Sequence, residues 1–109
     1  MPIPSIQERT ERELLEMLWR DAAPFAVYIY TPWCGTCKVG EKMLSVALAI
    51  EPGAAVYKSD INYLPALTKE WRIESVPCLA FAEGKRVKEK LYRMTSADFL
   101  LAKIRERLL

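Results

Sequence analysis

Alternating strand-like and helix-like segments, closed by a hairpin and a last helix, predict an α/β fold with a largely parallel sheet between two layers of helices. Three observations carry this expectation. The runs FAVYIYT (25–31), AAVYKSDI (54–61) and CLAFA (78–82) are rich in β-branched and aromatic or small apolar residues, the first wholly without charge, as in strands covered on both faces. Segments with helical apolar periodicity separate them. EGKR (83–86) is a glycine turn of hairpin type, which returns RVKEKLY (86–92) antiparallel to the strand before it.

Taken in order, Leu14, Leu15, Leu18 and Trp19 recur at helical spacing among Glu and Arg over 6–20, predicting an amphipathic helix that begins near Ser5. Pro24 closes the connection to the first long strand. In KVGEKMLSVALAI (38–50) the residues Met43, Val46, Ala47 and Ile50 are expected on one face, and EPG (51–53) ends the helix. A shorter helix is expected over 63–71, with IESVP leading out of it. Thr95, with Asp98 three residues on, predicts the cap of a final helix whose Leu100, Leu101, Ile104 and Leu108 face inward. Trp19 and Trp71 are read as packing residues. No repeat, linker or low-complexity segment interrupts the chain, so residues 1–109 are read as a single domain.

The composition narrows the function classes. With 109 residues, 51% hydrophobic and 28% charged, the chain can bury a core without staples. A net charge of +2 is too small to argue for a nucleic-acid surface, and the basic stretch KRVKEKLYR (85–93) reads as the wet face of a strand. No run approaches the roughly 18 apolar residues of a membrane helix. The N-terminal residues lack the basic and apolar regions of a secretory signal, so a cytoplasmic location is expected, with no nucleic-acid or membrane partner. At this size the chain is expected to be a monomer.

Three cysteines and no histidine cannot build a fully paired disulfide framework. Two of them, in YTPWCGTCKVG (30–40), follow a predicted strand and precede a predicted helix. Cys34 then lies at a helix N-terminus, where free backbone N–H groups and the helix dipole favour a thiolate, and Cys37 lies one turn inside. That makes Cys34 a nucleophile and Cys37 a second thiol within reach of it. Gly35 lets the chain turn and leaves Cys34 open, while Thr36 is neutral and adds no cation, which points to a reducing or intermediate couple. Two other readings stay open at this point: a metal site, for which Cys34, Cys37 and Cys78 are the only soft ligands and fall short of four, and a pair of buried inert cysteines.

With these residues in view, YTPWCGTCK and SVPCL resemble the active-site segment and the cis-proline loop of the thioredoxin family, and the likeness extends over nearly the whole chain. The resemblance implies a thioredoxin-like fold: a central mixed sheet of four or five strands flanked by about four helices, with the first strand short or absent. It implies a thiol–disulfide oxidoreductase that reduces protein disulfides without a cofactor and is recycled by a separate reductase. Carried over by position, Cys34 attacks, Cys37 resolves, Trp33, Gly35 and Thr36 border the substrate groove, and Val76 and the cis residue Pro77 line it. Lys58 is expected beneath the site. Tyr28 stands where typical members bury an acid, which leaves water or Lys58 as acceptor for the Cys37 proton. Gly40 and Lys42 occupy a helix segment usually kinked by proline, LYRMTS (91–96) replaces a glycine-bearing segment, and Cys78 is either a small buried residue or a third thiol near the pair. The alternatives are a binding or redox-sensing module on the same fold, and a metal or iron–sulfur carrier using Cys34, Cys37 and Cys78.

Overall fold

A computed structural model of the chain describes residues 6–20 and 23–109. The strands are β1 Gln7–Glu8, β2 Phe25–Tyr30, β3 Val56–Asp60, β4 Cys78–Glu83 and β5 Arg86–Leu91, and they lie side by side in the order β1-β3-β2-β4-β5. β3 runs parallel to both β1 and β2, and β4 runs antiparallel to β2 and β5, so the sheet is mixed. The helices are α1 Glu11–Arg20, α2 Gly35–Ile50, α3 Pro65–Glu70 and α4 Ala97–Leu108. Among the described residues no helix is long and apolar enough to cross a membrane.

The central strand β2 explains the layering. Successive side chains of a strand point to opposite faces. Ala26 and Tyr28 accordingly join Leu44, Leu48, Leu100 and Ile104 on the face covered by α2 and α4. Phe25, Val27 and Ile29 join Leu14, Leu18, Leu67 and Trp71 on the face covered by α1 and α3. With a core on each side, residues 25–29 are all buried, which is why the run carries no polar alternation.

The hairpin has Gly84 at φ +59° and Lys85 at φ +72°. Two consecutive residues with positive φ match the twist of the flanking strands, and a glycine takes the first of these positions without steric cost. β5 is an edge strand with charges on both faces: Glu89 pairs with Lys103 and Arg107 of α4, and the Lys90 ammonium donates to the carbonyls of Trp71 and Arg72. The expected wet face of 85–93 is therefore partly engaged in tying β5 to both helical layers.

The structure corrects five expectations. The sheet is mixed and not largely parallel, because β4 pairs antiparallel with the central strand β2 as well as with β5. The first helix does not run from 6; it starts at Glu11, where Thr10 and Glu13 exchange side-chain-to-backbone hydrogen bonds of 2.9 and 3.1 Å, a capping box that fixes the start. Ser5 lies outside the described residues, and Gln7–Glu8 add a short strand to the edge of β3. Trp19 is 75% exposed, with Lys85 stacked 4.6 Å from its ring centre, because α1 buries Leu14 and Leu18 and the next residue is turned about 100° away from that stripe. On α2 the buried stripe is Cys37, Gly40, Leu44, Ala47 and Leu48, while Val46 and Ile50 point outward. Apolar residues surround that helix, so periodicity alone sets its phase poorly. The cap of α4 is Ser96, whose hydroxyl accepts from the Phe99 N–H at 3.0 Å, one residue beyond Thr95.

Candidate active site

β2 runs directly into the turn before α2, and that turn carries the two cysteines. Cys34 is the N-cap of α2 in extended backbone (φ −95°, ψ 111°), and its sulfur accepts the Cys37 N–H at 3.1 Å. A side-chain acceptor at this position satisfies a helix N–H that has no partner within the helix, and the positive end of the dipole favours negative charge there. Cys34 and Cys37 are joined as a disulfide, with their Cα atoms 5.2 Å apart. Cys37 is 2% exposed, whereas Cys34 is partly exposed and flanked by Trp33 at 93%. Only the Cys34 sulfur is therefore open to a large partner.

Thr36 contributes more than the neutrality expected of it. Its hydroxyl lies 3.2 Å from the Cys34 sulfur, and since a disulfide sulfur carries no proton, the hydroxyl is the donor. Gly35 faces open space. The Val76–Pro77 peptide bond is cis, and Pro77 is buried at the start of β4. Together with Thr36, these residues border a groove of about 470 Å³, whose other walls include Val39, Met43, Arg93 and Met94. A larger depression of about 650 Å³ runs along α1, on the face of the sheet away from α2. It has no part in cysteine chemistry.

Beneath the pair, the structure joins residues that the sequence leaves separate. The Tyr28 hydroxyl donates to the Cys37 carbonyl at 2.6 Å from a fully buried position. Burial holds the Tyr28 hydroxyl well above the ordinary phenol range, and the nearby charge of Glu41 adds to the effect. A Cβ on Gly40 would overlap the Tyr28 hydroxyl and come within 2.8 Å of Met94 Cγ, so glycine is required for the tyrosine to fit. Lys58 is directly opposite Tyr28 in the β2–β3 register, and its ammonium lies 2.9 Å from the Glu41 carboxylate. Lys58 is thus committed to a carboxylate that sequence reading does not single out. The signal is present in the sequence, since Glu41 follows Cys37 by four residues on a predicted helix.

Cys78 is not part of this cluster. Pro77 borders the groove, but the next residue turns to the opposite face, and Cys78 is fully buried among Leu14, Leu67, Trp71 and Ile73. Burial pushes its thiol up to about 11, against smaller opposing effects of Lys90 and Tyr92. With the sheet between Cys78 and α2, the three cysteines do not converge as a ligand set, which removes the carrier reading. Among the described residues no group of three or more Cys, Asp or Glu side chains is arranged to hold a metal ion.

Comparison with known proteins gives a consistent picture. The family model described as Thioredoxin matches residues 5–106. A thioredoxin-like protein of Bacillus subtilis, YusE, is 37% identical over 83 residues, covering 76% of this chain and 78% of the relative. The M-type chloroplastic thioredoxin of Spinacia oleracea is 24% identical over 90 residues, covering 82% of this chain and 50% of the relative. Among solved structures, a point mutant of the thioredoxin from Halobacterium salinarum superposes with a TM-score of 0.74 at 25% identity, covering 95% of this chain and 88% of that one.

Proposed function

The chain belongs to the thioredoxin family, and its CxxC pair has the chemistry of a thiol–disulfide oxidoreductase; from this premise we propose that it reduces disulfides in other proteins. The observation that carries the reading is the asymmetry of the pair: an accessible Cys34 sulfur at the cap of α2 and an enclosed Cys37 that can reach only Cys34. In the reduced protein the Cys34 thiolate attacks one sulfur of a substrate disulfide, and the second substrate sulfur leaves with the electron pair. Cys37 then bonds to Cys34, the Cys34–substrate bond breaks, and the first substrate sulfur leaves as a thiolate. The substrate gains two electrons, and the Cys34–Cys37 disulfide holds the corresponding oxidation.

Thr36 borders the groove and the exposed Trp33 stands beside Cys34, while Val76 and Pro77 offer a wall against which an extended substrate segment can lie. A separate reductase returns the pair to dithiol. Reducing protein disulfides belongs to a reducing compartment, so the proposed location is the cytoplasm.

Insulin-disulfide reduction tests the mechanism. Cys34→Ser should abolish it, and Cys37→Ser should accumulate mixed disulfides through Cys34. Full activity in Cys34→Ser sinks the proposal. The potential of the pair tests the direction. A value near the about −270 mV general to thioredoxins supports a reductant, and one near about −120 to −180 mV assigns an oxidant or isomerase instead.

A further inference from the structure

Resolution of the mixed disulfide needs the Cys37 thiol to lose its proton at the moment its sulfur attacks, because the thiolate and not the thiol is the nucleophile. The central strand β2 supplies no carboxylate for this. Position 28 holds a tyrosine whose hydroxyl already donates to the Cys37 carbonyl, and Lys58 is an ammonium engaged with Glu41. Neither group can accept a proton from a thiol.

Glu41 can. It lies one helical turn after Cys37, and residues four apart on a helix are surface neighbours at about 5–6 Å between Cβ atoms. Its side chain is 31% exposed and is held toward the sheet by Lys58, itself 23% exposed, at 2.9 Å. The Lys58 that holds it is directly opposite Tyr28 in the β2–β3 register, and the Tyr28 hydroxyl donates to the Cys37 carbonyl. Lys58 faces it from β3 and Tyr28 and Tyr30 from β2, Tyr30 being hydrogen-bonded to Glu8 of β1 and opposite Asp60 of β3; Lys38 and Lys42 share its helix and are exposed.

We propose that Glu41, positioned by Lys58, accepts the Cys37 proton during resolution. This rests on the oxidoreductase reading above. The Cys37 proton passes to the Glu41 carboxylate, directly or through one water, as the Cys37–Cys34 bond forms. The Cys34–substrate bond breaks, and the Glu41 proton passes to the leaving substrate thiolate, directly or by way of solvent, which returns the carboxylate.

Glu41→Gln keeps the shape and removes the acceptor. The test is single-turnover reduction of insulin between pH 6 and 9, alongside iodoacetamide alkylation of Cys34 as a measure of the first step alone. The expected result is a loss of about a hundredfold in resolution at pH 7, narrowing as pH approaches the ordinary thiol range near about 8.5, with the Cys34 alkylation rate unchanged. Glu41→Asp should recover most of the rate. An unaltered profile in Glu41→Gln overturns the proposal, and so does a loss of equal size at every pH, which marks a structural role. Activity that survives Cys34→Ser overturns the oxidoreductase reading instead, so the two failures are distinct.

Discussion

Gly40→Ala tests the packing beneath the cysteines. An added methyl would overlap the Tyr28 hydroxyl and meet Met94 Cγ at 2.8 Å, in a region where Tyr28 has no exposed surface through which to escape. Overpacking of this kind costs about 2 kcal/mol, and displacing the hydroxyl from the Cys37 carbonyl costs about 1 kcal/mol more. Alanine returns about 1 kcal/mol through its helix propensity. The net expectation is a loss of about 2 kcal/mol, or a Tm about 8 °C lower at this chain length. Tyr28→Phe alone should cost about 1 kcal/mol for the lost bond. In that background the methyl meets only Met94, whose side chain can turn, so Gly40→Ala becomes nearly neutral. The double variant should then lie about 1 kcal/mol below wild type, not the roughly 3 that additivity predicts, a coupling of about 2 kcal/mol. Urea unfolding of the oxidised protein measures all four states. A Gly40→Ala variant as stable as wild type, or strict additivity in the double, refutes the reasoning.

Three further expectations follow from single contacts. Thr36→Val removes the hydroxyl 3.2 Å from the Cys34 sulfur and should slow iodoacetamide alkylation of the reduced protein about fivefold at pH 7, with Thr36→Ser close to wild type; equal rates for all three would mean that the hydroxyl does not support the thiolate. Cys78 should resist iodoacetamide in the folded protein. Because its thiol is pushed up to about 11, its contribution to stability is complete below the unfolded value near about 8.5 and is lost as pH rises through 11, roughly 3 kcal/mol that Cys78→Ala should not lose. Glu89 is held below the usual carboxylate range by Lys103 first and by Arg107 second, against its own desolvation. Its contribution is present above about pH 4.3 and is lost as pH falls through its folded value, so Glu89→Gln should flatten the acid limb of the stability profile; an unchanged limb would refute this.

The elements that sequence reading locates best are those whose signal is local. The uncharged run 25–31 and the Gly84 turn contain their own reasons for being strand and hairpin, and both stand in the structure within a residue or two. The turn into α2 is equally local, since a strand followed by CxxC places one sulfur at the cap. β1 is beyond that kind of reading because two residues have no periodicity, and Gln7–Glu8 are held only by their pairing with β3. The phase of α2 escapes for a different reason. Its apolar residues surround the axis, so the buried stripe is decided by what the sheet presents, namely the Tyr28 hydroxyl against Gly40. Thr36 and Glu41 look ordinary in the sequence because the role of each depends on one partner atom that only the folded chain brings near.

Tyr28 and Gly40 stand in the sequence as two unrelated departures from the family pattern, yet in space they form one contact, and that contact reorganises the charge beneath the pair. Once an aromatic ring fills position 28, the sheet cannot offer a carboxylate under Cys37, and Lys58, its neighbour in register, is left without a counter-charge from β2. A lone ammonium at that depth is costly. Glu41 supplies the missing charge from the helix, at the spacing that also brings it to the turn of Cys37. Tyr28, Gly40 and Glu41 thus depend on one another. Restoring an acid at position 28 alone would crowd a second carboxylate beside the Glu41–Lys58 pair and leave Gly40 with no ring to accommodate, so Tyr28→Asp should cost more stability than Tyr28→Phe by well over about 1 kcal/mol, and a stable Tyr28→Asp protein would show that the three positions are independent.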